Sequence, residues 1–239
     1  MTPQESADNR ITASWHLFND DQAVAEAACT CIEQAASAAI RRRNRFNLVL
    51  AGGSTPTRCY RLLSEHSNDW SRWHLYFGDE RCLAAGDPQR NSSIAAETLY
   101  HRVPIPAHQI HPIPVEMGAE AAARSYAVIV GKVLPFDLVL LGLGEDGHTA
   151  SLFPGHHHPE GSLVVPVRSA PKPPRERVSL STAALSSCRR VLFLVTGEEK
   201  RDAVSRWRRR EPLPAAGIGA LENITVFVDR VAWSAISWK

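Results

Sequence analysis

An aspartate and a histidine two residues apart, set among glycines just past an apolar run, make up Asp146-Gly147-His148. Residues two apart in extended chain point the same way. The Asp146 carboxylate can therefore orient the His148 imidazole and favour its protonated form, which makes His148 a candidate general base. A capping histidine in a loop fits the same residues. Three other segments offer groups suited to an anion. Gly52-Gly53-Ser54-Thr55 supplies free backbone, two hydroxyls and a following helix start, a set that suits phosphate and equally a tight turn with a helix cap. Gly78-Asp79-Glu80-Arg81 sets an arginine among acids, able to fork a phosphate or carboxylate or simply to pair locally. Gly197-Glu198-Glu199-Lys200 brings a lysine to the start of a helix.

These segments share one position, immediately after an apolar run of strand length. Phe46 to Ala51, Trp73 to Phe77, Phe136 to Leu141 and Val191 to Thr196 read as strands, with Val178 to Ser181 and Ile224 to Asp229 as two more. Helices are expected over Asp20 to Arg43, Pro56 to Leu63, Asn91 to Tyr100, Ala119 to Val133 and Glu198 to Arg209. Val103 to Pro114 reads as a proline-rich connection, and Pro154 to Glu160 and Pro171 to Pro174 as loops. Runs apolar at successive positions fit strands covered on both faces. The expected fold is α/β, a Rossmann-like mostly parallel sheet with helices on both faces, forming one domain over residues 1–239. Ligands of such sheets bind beyond the carboxyl ends of the strands.

Composition narrows the partners. The chain has 239 residues, 44% apolar and 22% charged, which is ordinary for a globular protein. The net charge of +2 gives no case for nucleic acid or membrane as a partner. Only four of the 27 cationic residues are lysines: Lys132, Lys172, Lys200 and Lys239. The first ten residues are polar and carry no leader pattern, and no run approaches the ~20 apolar residues of a bilayer span, so a cytoplasmic location is expected. The five cysteines (Cys29, Cys31, Cys59, Cys82, Cys188) form no CxxC and are expected to be reduced thiols, with no metal site. Gly142, Gly144 and Gly147 satisfy GxGxxG, but Pro154 and Gly155 follow too soon for the helix a dinucleotide site requires. His156-His157-His158 reads as a loop tract. Arg41 to Arg45 and Arg206 to Arg210 read as solvated helix ends.

Taken in order, LVLAGGSTP (48–56), WHLYFGDER (73–81), FDLVLLGLGEDGHTASLFPG (136–155), RVSL (177–180), GEEK (197–200) and PLPAA (212–216) resemble the 6-phosphogluconolactonases. These lie within a wider sugar-phosphate isomerase-like family that includes glucosamine-6-phosphate deaminases. The resemblance runs from about Asp20 to the carboxyl end. It implies hydrolysis of a phosphorylated sugar lactone, 6-phosphoglucono-1,5-lactone, without metal or organic cofactor, by a monomer or homodimer. His148, Asp146 and Arg81 match the catalytic positions. Gly52, Gly53, Ser54, Thr55, Asp79, Arg81, Asn91 and Lys200 match substrate-binding ones.

Two departures stand out. Where the family shows an apolar-proline pair and then Ser-Asn, this chain reads Cys82-Leu83-Ala84 and then Arg90-Asn91. Arg90 replaces a small residue and is expected to offer an extra phosphate contact. Deaminases carry a glutamate five residues after the histidine, and here that position is Phe153. A deaminase-like isomerase and a non-catalytic sugar-phosphate sensor are the competing readings.

Overall fold

The computed structural model describes residues 12–234. The amino-terminal decapeptide and Lys239 lie outside the described residues. Among the described residues there are ten strands: β1 (Ser14–Phe18), β2 (Phe46–Leu50), β3 (Trp73–Phe77), β4 (Asp79–Arg81), β5 (Ile110–His111), β6 (Phe136–Gly142), β7 (Val164–Val167), β8 (Arg177–Leu180), β9 (Cys188–Val195) and β10 (Asn223–Asp229). Seven α-helices accompany them: α1 (Asp21–Arg43), α2 (Ser54–Glu65), α3 (Asn91–Ala95), α4 (Ala119–Gly131), α5 (Thr182–Ser186), α6 (Arg201–Arg208) and α7 (Arg230–Trp233).

Seven strands form one sheet in the order β1-β10-β9-β6-β2-β3-β5, and every neighbouring pair runs parallel. All five residues of β2 are buried, as are the first six of β6, so both faces of the sheet are covered. Alanines explain how α1 lies so close to it. Val24, Ala28, Ile32, Ala35 and Ala39 make a small-residue stripe that packs across β2, β6, β9 and β10. Asp20 caps this helix by accepting the Ala23 N–H at 2.8 Å, and Asn44 ends it in the left-handed conformation at φ 58°. Large rings fill the other layers, among them Phe46 edge-on to Trp73 at 4.9 Å between centroids.

The order of the strands decides where a crevice opens. From β2 the chain moves outward to β3 and β5, then returns to place β6 on the opposite side of β2. Only Leu48 with Leu138 and Val49 with Val139 pair across that junction. The segments that follow β2 and β6 thus leave the sheet in diverging directions, the geometry of a topological switch point.

Several sequence expectations change in detail. Val178 to Ser181 does not join the parallel sheet. As β8 (Arg177–Leu180) it pairs antiparallel with β4 and β7 in a separate three-stranded sheet. The helix expected from Pro56 begins at Ser54, with Pro56 inside the first turn where no intrahelical N–H is needed. Asn91 to Tyr100 is α-helical only to Ala95 and then widens to five-residue turns. The connection Val103 to Pro114 contains the edge strand β5. Glu198 to Lys200 forms a tight turn ahead of α6.

Candidate active site

The residues after β2, β3, β6 and β9, four neighbouring strands, line one cavity of about 530 Å³. Among its walls are Gly52, Gly53, Ser54, Thr55, Asp79, Arg81, Asn91, Asp146, His148 and Lys200, every site residue singled out from the sequence. Arg90 is the exception among the wider expectations. It is 4% exposed and does not line the cavity. Its guanidinium is taken by Glu116 and by the fully buried Glu80, 3.6 Å away. The expected phosphate contact is not supported, because the buried Glu80 carboxylate holds the guanidinium inward, away from the cavity wall.

His148 is held by its own loop. Its Nδ1 lies 2.5 Å from Asp146 Oδ1, and its backbone N–H donates to the same oxygen at 3.1 Å. Burial raises the Asp146 carboxyl, but the hydrogen bonds from His148 outweigh it and hold the group below the ordinary carboxylate range. An ionised Asp146 accepts the Nδ1 proton, which leaves Nε2 as the free basic nitrogen. The glycines here close the loop. Gly147 donates to Gly144 O at 3.0 Å, and Gly144 donates to His148 O at 2.8 Å. The imidazole lies where a Cβ on Gly144 would sit, so any larger residue there overlaps the ring. The far side of the ring is covered by Phe153, 4.6 Å between centroids.

The loop after β2 is built for close approach. Gly53 takes φ +112°, and no side chain caps the start of α2, so its first N–H groups have no intrahelical partner. The hydroxyl of Tyr60 accepts the Ala51 N–H at 2.9 Å and donates to Ala51 O at 2.8 Å, tying the helix back to the end of β2. Thr55 Oγ1 is 2.6 Å from Thr196 Oγ1, which joins the ends of β2 and β9. Gly52 lies against the Asn91 carboxamide closely enough that a Cβ would overlap it.

Beneath this surface, Asp79 and Glu80 organise rather than reach out. Glu80 accepts backbone N–H groups from Arg81, Asn91 and Ser92 at 2.7–2.9 Å. Asp79 accepts from Ser151 Oγ at 2.6 Å and from Asn91 Nδ2 at 3.0 Å. The Asn91 amide is thereby oriented, with its Oδ1 left unpartnered. Lys200 has only a loose pairing with Glu199, 3.7 Å.

Two cavity-lining cations escaped the sequence reading. Arg177 stands directly opposite Arg81 across β4 and β8 and lies 5.7 Å over the Phe153 ring. Burial, joined by the charge of Arg81 and opposed by Asp79, pushes the Arg177 guanidinium below its ordinary range. Lys172 reaches the rim from the Pro171 to Pro174 loop and pairs with Glu145 at 3.0 Å. The signal for Arg177 was the RVSL stretch itself. Its place in the cavity wall emerges only once β8 is paired with β4, an antiparallel contact that local pattern does not encode. The cavity thus combines a carboxylate-oriented imidazole, an uncapped helix start and four cations: Arg81, Lys172, Arg177 and Lys200. Like charges such as Arg81 and Arg177 placed opposite one another repel, and an anion between them removes that penalty.

Comparison with known proteins agrees across nearly the whole chain. Residues 19–228 match the family described as glucosamine-6-phosphate isomerases/6-phosphogluconolactonase. A 6-phosphogluconolactonase of Mycobacterium leprae is 35% identical, with 95% of this chain and 99% of that protein covered. The crystal structure of the 6-phosphogluconolactonase from Thermotoga maritima superposes with a TM-score of 0.86 at 30% identity, covering 92% of this chain and all of that one. The 6-phosphogluconolactonase of Trypanosoma brucei gives a TM-score of 0.84 at 27% identity over 93% of this chain and 98% of its own.

Proposed function

The chain belongs to the family of glucosamine-6-phosphate isomerases and 6-phosphogluconolactonases, and from that membership we propose that it hydrolyses 6-phospho-D-glucono-1,5-lactone to 6-phospho-D-gluconate. This is the second step of the oxidative pentose phosphate pathway, and we assign it to the cytoplasm. The observation that carries the reading is the Asp146–His148 pair, 2.5 Å apart, opening into a cavity that also holds four cations.

The reaction follows from those groups. His148 Nε2 takes a proton from water as the oxygen attacks the lactone carbonyl. Asp146 holds the imidazole in place and stabilises the imidazolium that forms. Negative charge then develops on the carbonyl oxygen, and the cations and amides of the wall stabilise it. The tetrahedral adduct collapses by expelling the ring oxygen, which takes the proton back from His148. A lactone is an activated ester, so a positioned base with charge stabilisation lowers the barrier without a covalent intermediate. The start of α2 and Lys200 suit the phosphate, whose dianion answers both the free N–H groups and the ammonium. Deamination of an aminosugar phosphate is disfavoured by Phe153. That residue is 5% exposed and packs on the imidazole where deaminases carry an acid.

A lactone-hydrolysis assay corrected for the spontaneous rate tests the assignment. His148→Ala is expected to lose turnover and keep product binding. Release of ammonia from glucosamine 6-phosphate at an enzyme-like rate by the purified protein overturns the substrate assignment.

A further inference from the structure

Away from the cavity, three side chains with metal-ligand chemistry converge where α1 meets the far end of α2. Cys29 and Glu33 stand one turn apart on α1, which places them on one face. His66 follows the last residue of α2 and comes from the facing element. His66 Nδ1 lies 3.6 Å from Cys29 Sγ and 3.0 Å from Glu33 Oε1. All three donor atoms fall within 4.8 Å of one another.

The sulfur–nitrogen separation is close to that of tetrahedral coordination. A cation bonded to sulfur at about 2.3 Å and to nitrogen at about 2.0 Å, with a tetrahedral angle between them, sets the two ligand atoms about 3.5 Å apart. Asn68 Nδ2 donates to Glu33 Oε1 at 3.2 Å and orients that carboxylate. Cys29 is 2% exposed, whereas the His66 side chain is 49% exposed, so a cation and a fourth ligand can enter from the solvent side. None of the three residues lines the catalytic cavity, which lies at the opposite, amino-terminal end of α2. Without a cation the His66–Glu33 pairing is exposed and worth little.

We propose that Cys29, Glu33 and His66 bind a divalent cation of the zinc class and clip α1 to the end of α2. Ligand type selects the ion. A thiolate disfavours magnesium and calcium, and the mixture of thiolate, imidazole and carboxylate suits the borderline-soft, tetrahedral zinc ion. Binding is a simple exchange: the Cys29 thiol proton leaves to solvent as the sulfur–metal bond forms, with no change of oxidation state. The clip acts on stability, since it joins two helices outside the reaction cavity.

The test uses the full chain stripped with a chelator, titrated with zinc alone against a chromophoric competitor and with cobalt(II) as a spectroscopic substitute. One equivalent is expected to bind. The cobalt form should show the near-ultraviolet thiolate charge-transfer band with tetrahedral visible bands. Free zinc well above its dissociation constant should raise Tm by about 3 °C or more and leave lactone turnover unchanged. Cys29→Ser should abolish the charge-transfer band. His66→Gln, at an exposed position that folding tolerates, should weaken zinc about tenfold or more and remove the Tm gain. Absence of stoichiometric binding overturns the site. Binding that persists undiminished in His66→Gln assigns the ion elsewhere, the His156-His157-His158 tract being the competing donor set, and overturns it equally.

Discussion

The two ends of the parallel sheet carry similar charges and use them in opposite ways. At the amino ends of the strands, Arg43 and Arg189 flank the buried Asp137 carboxylate, which also accepts the Asn47 N–H at 2.7 Å. Arg189 and Arg190 share Glu222 there at 3.3 and 3.0 Å, and Arg45 donates to Asn47 and Tyr76. At the carboxyl ends, Arg81, Lys172, Arg177 and Lys200 line a cavity. Lys172 pairs with Glu145 at the rim at 3.0 Å and Lys200 loosely with Glu199, while Arg81 and Arg177 have no carboxylate partner among the described residues. One end neutralises its arginines internally, while the other leaves Arg81 and Arg177 without a fixed anion. The presence of arginines therefore says little about function. What matters is whether a fixed anion already faces them.

Substitutions at the two ends should separate accordingly. The largest effect is expected from His148→Ala, where kcat falls by about 10²–10⁴-fold, the usual range for a general base. Binding of 6-phosphogluconate, followed by calorimetry, stays within a few-fold. Turnover that stays at the unsubstituted level would remove His148 from the reaction. At the other end, Asp137→Ala strands Arg43 against Arg189. A loss of about 3 kcal/mol is expected for breaking a pair whose acid is buried and whose arginines are partly solvated. Tm then drops by about 6 °C or more, with KM unchanged below the transition. A shift in KM without a shift in Tm would erase the contrast between the ends.

A smaller effect is expected for Lys200→Ala. Loss of one charge-assisted contact raises KM about tenfold and leaves kcat nearly intact. The smallest concerns the edge of the sheet beside Arg45, where His74 Nδ1 lies 3.3 Å from His111 Nε2. Burial, then the Arg45 charge, lowers His74 from 6.5 to about 4. The unfolded chain binds the proton first as pH falls, so stability is full above pH 6.5 and declines progressively toward pH 4. A denaturant midpoint that decreases from pH 7 to 5 in the parent, and less so in His74→Gln, is the expected signature. Equal slopes in the two proteins would remove His74 as the source.

The expected strands and site residues were legible because each strand of the parallel sheet is a short apolar run and each chemical segment follows one directly. Phe136 to Leu141 and the histidine after it illustrate both. The second sheet was hidden because β4, β7 and β8 are three or four residues long and take their meaning from one another. Asp79 opposes Ser179 across a hundred residues of sequence. The same non-local contact conceals Arg177. Arg90 misled for the reverse reason. Its neighbours in sequence suggested a phosphate, but its partners, Glu80 and Glu116, come from separate segments. β1 (Ser14–Phe18), the edge strand beside β10, is five residues long and lies mostly outside the core, with two of its side chains half-buried and the rest exposed, so no continuous buried run marks it.

The imidazole of His148 occupies the space that a side chain at Gly144 would need. Those two positions therefore cannot vary independently. A variant that keeps the imidazole in this place must keep a bare α-carbon four residues earlier, and one that fills that α-carbon must displace the ring. For anyone redesigning this enzyme, a side chain at position 144 and the present imidazole at position 148 are alternatives for one space.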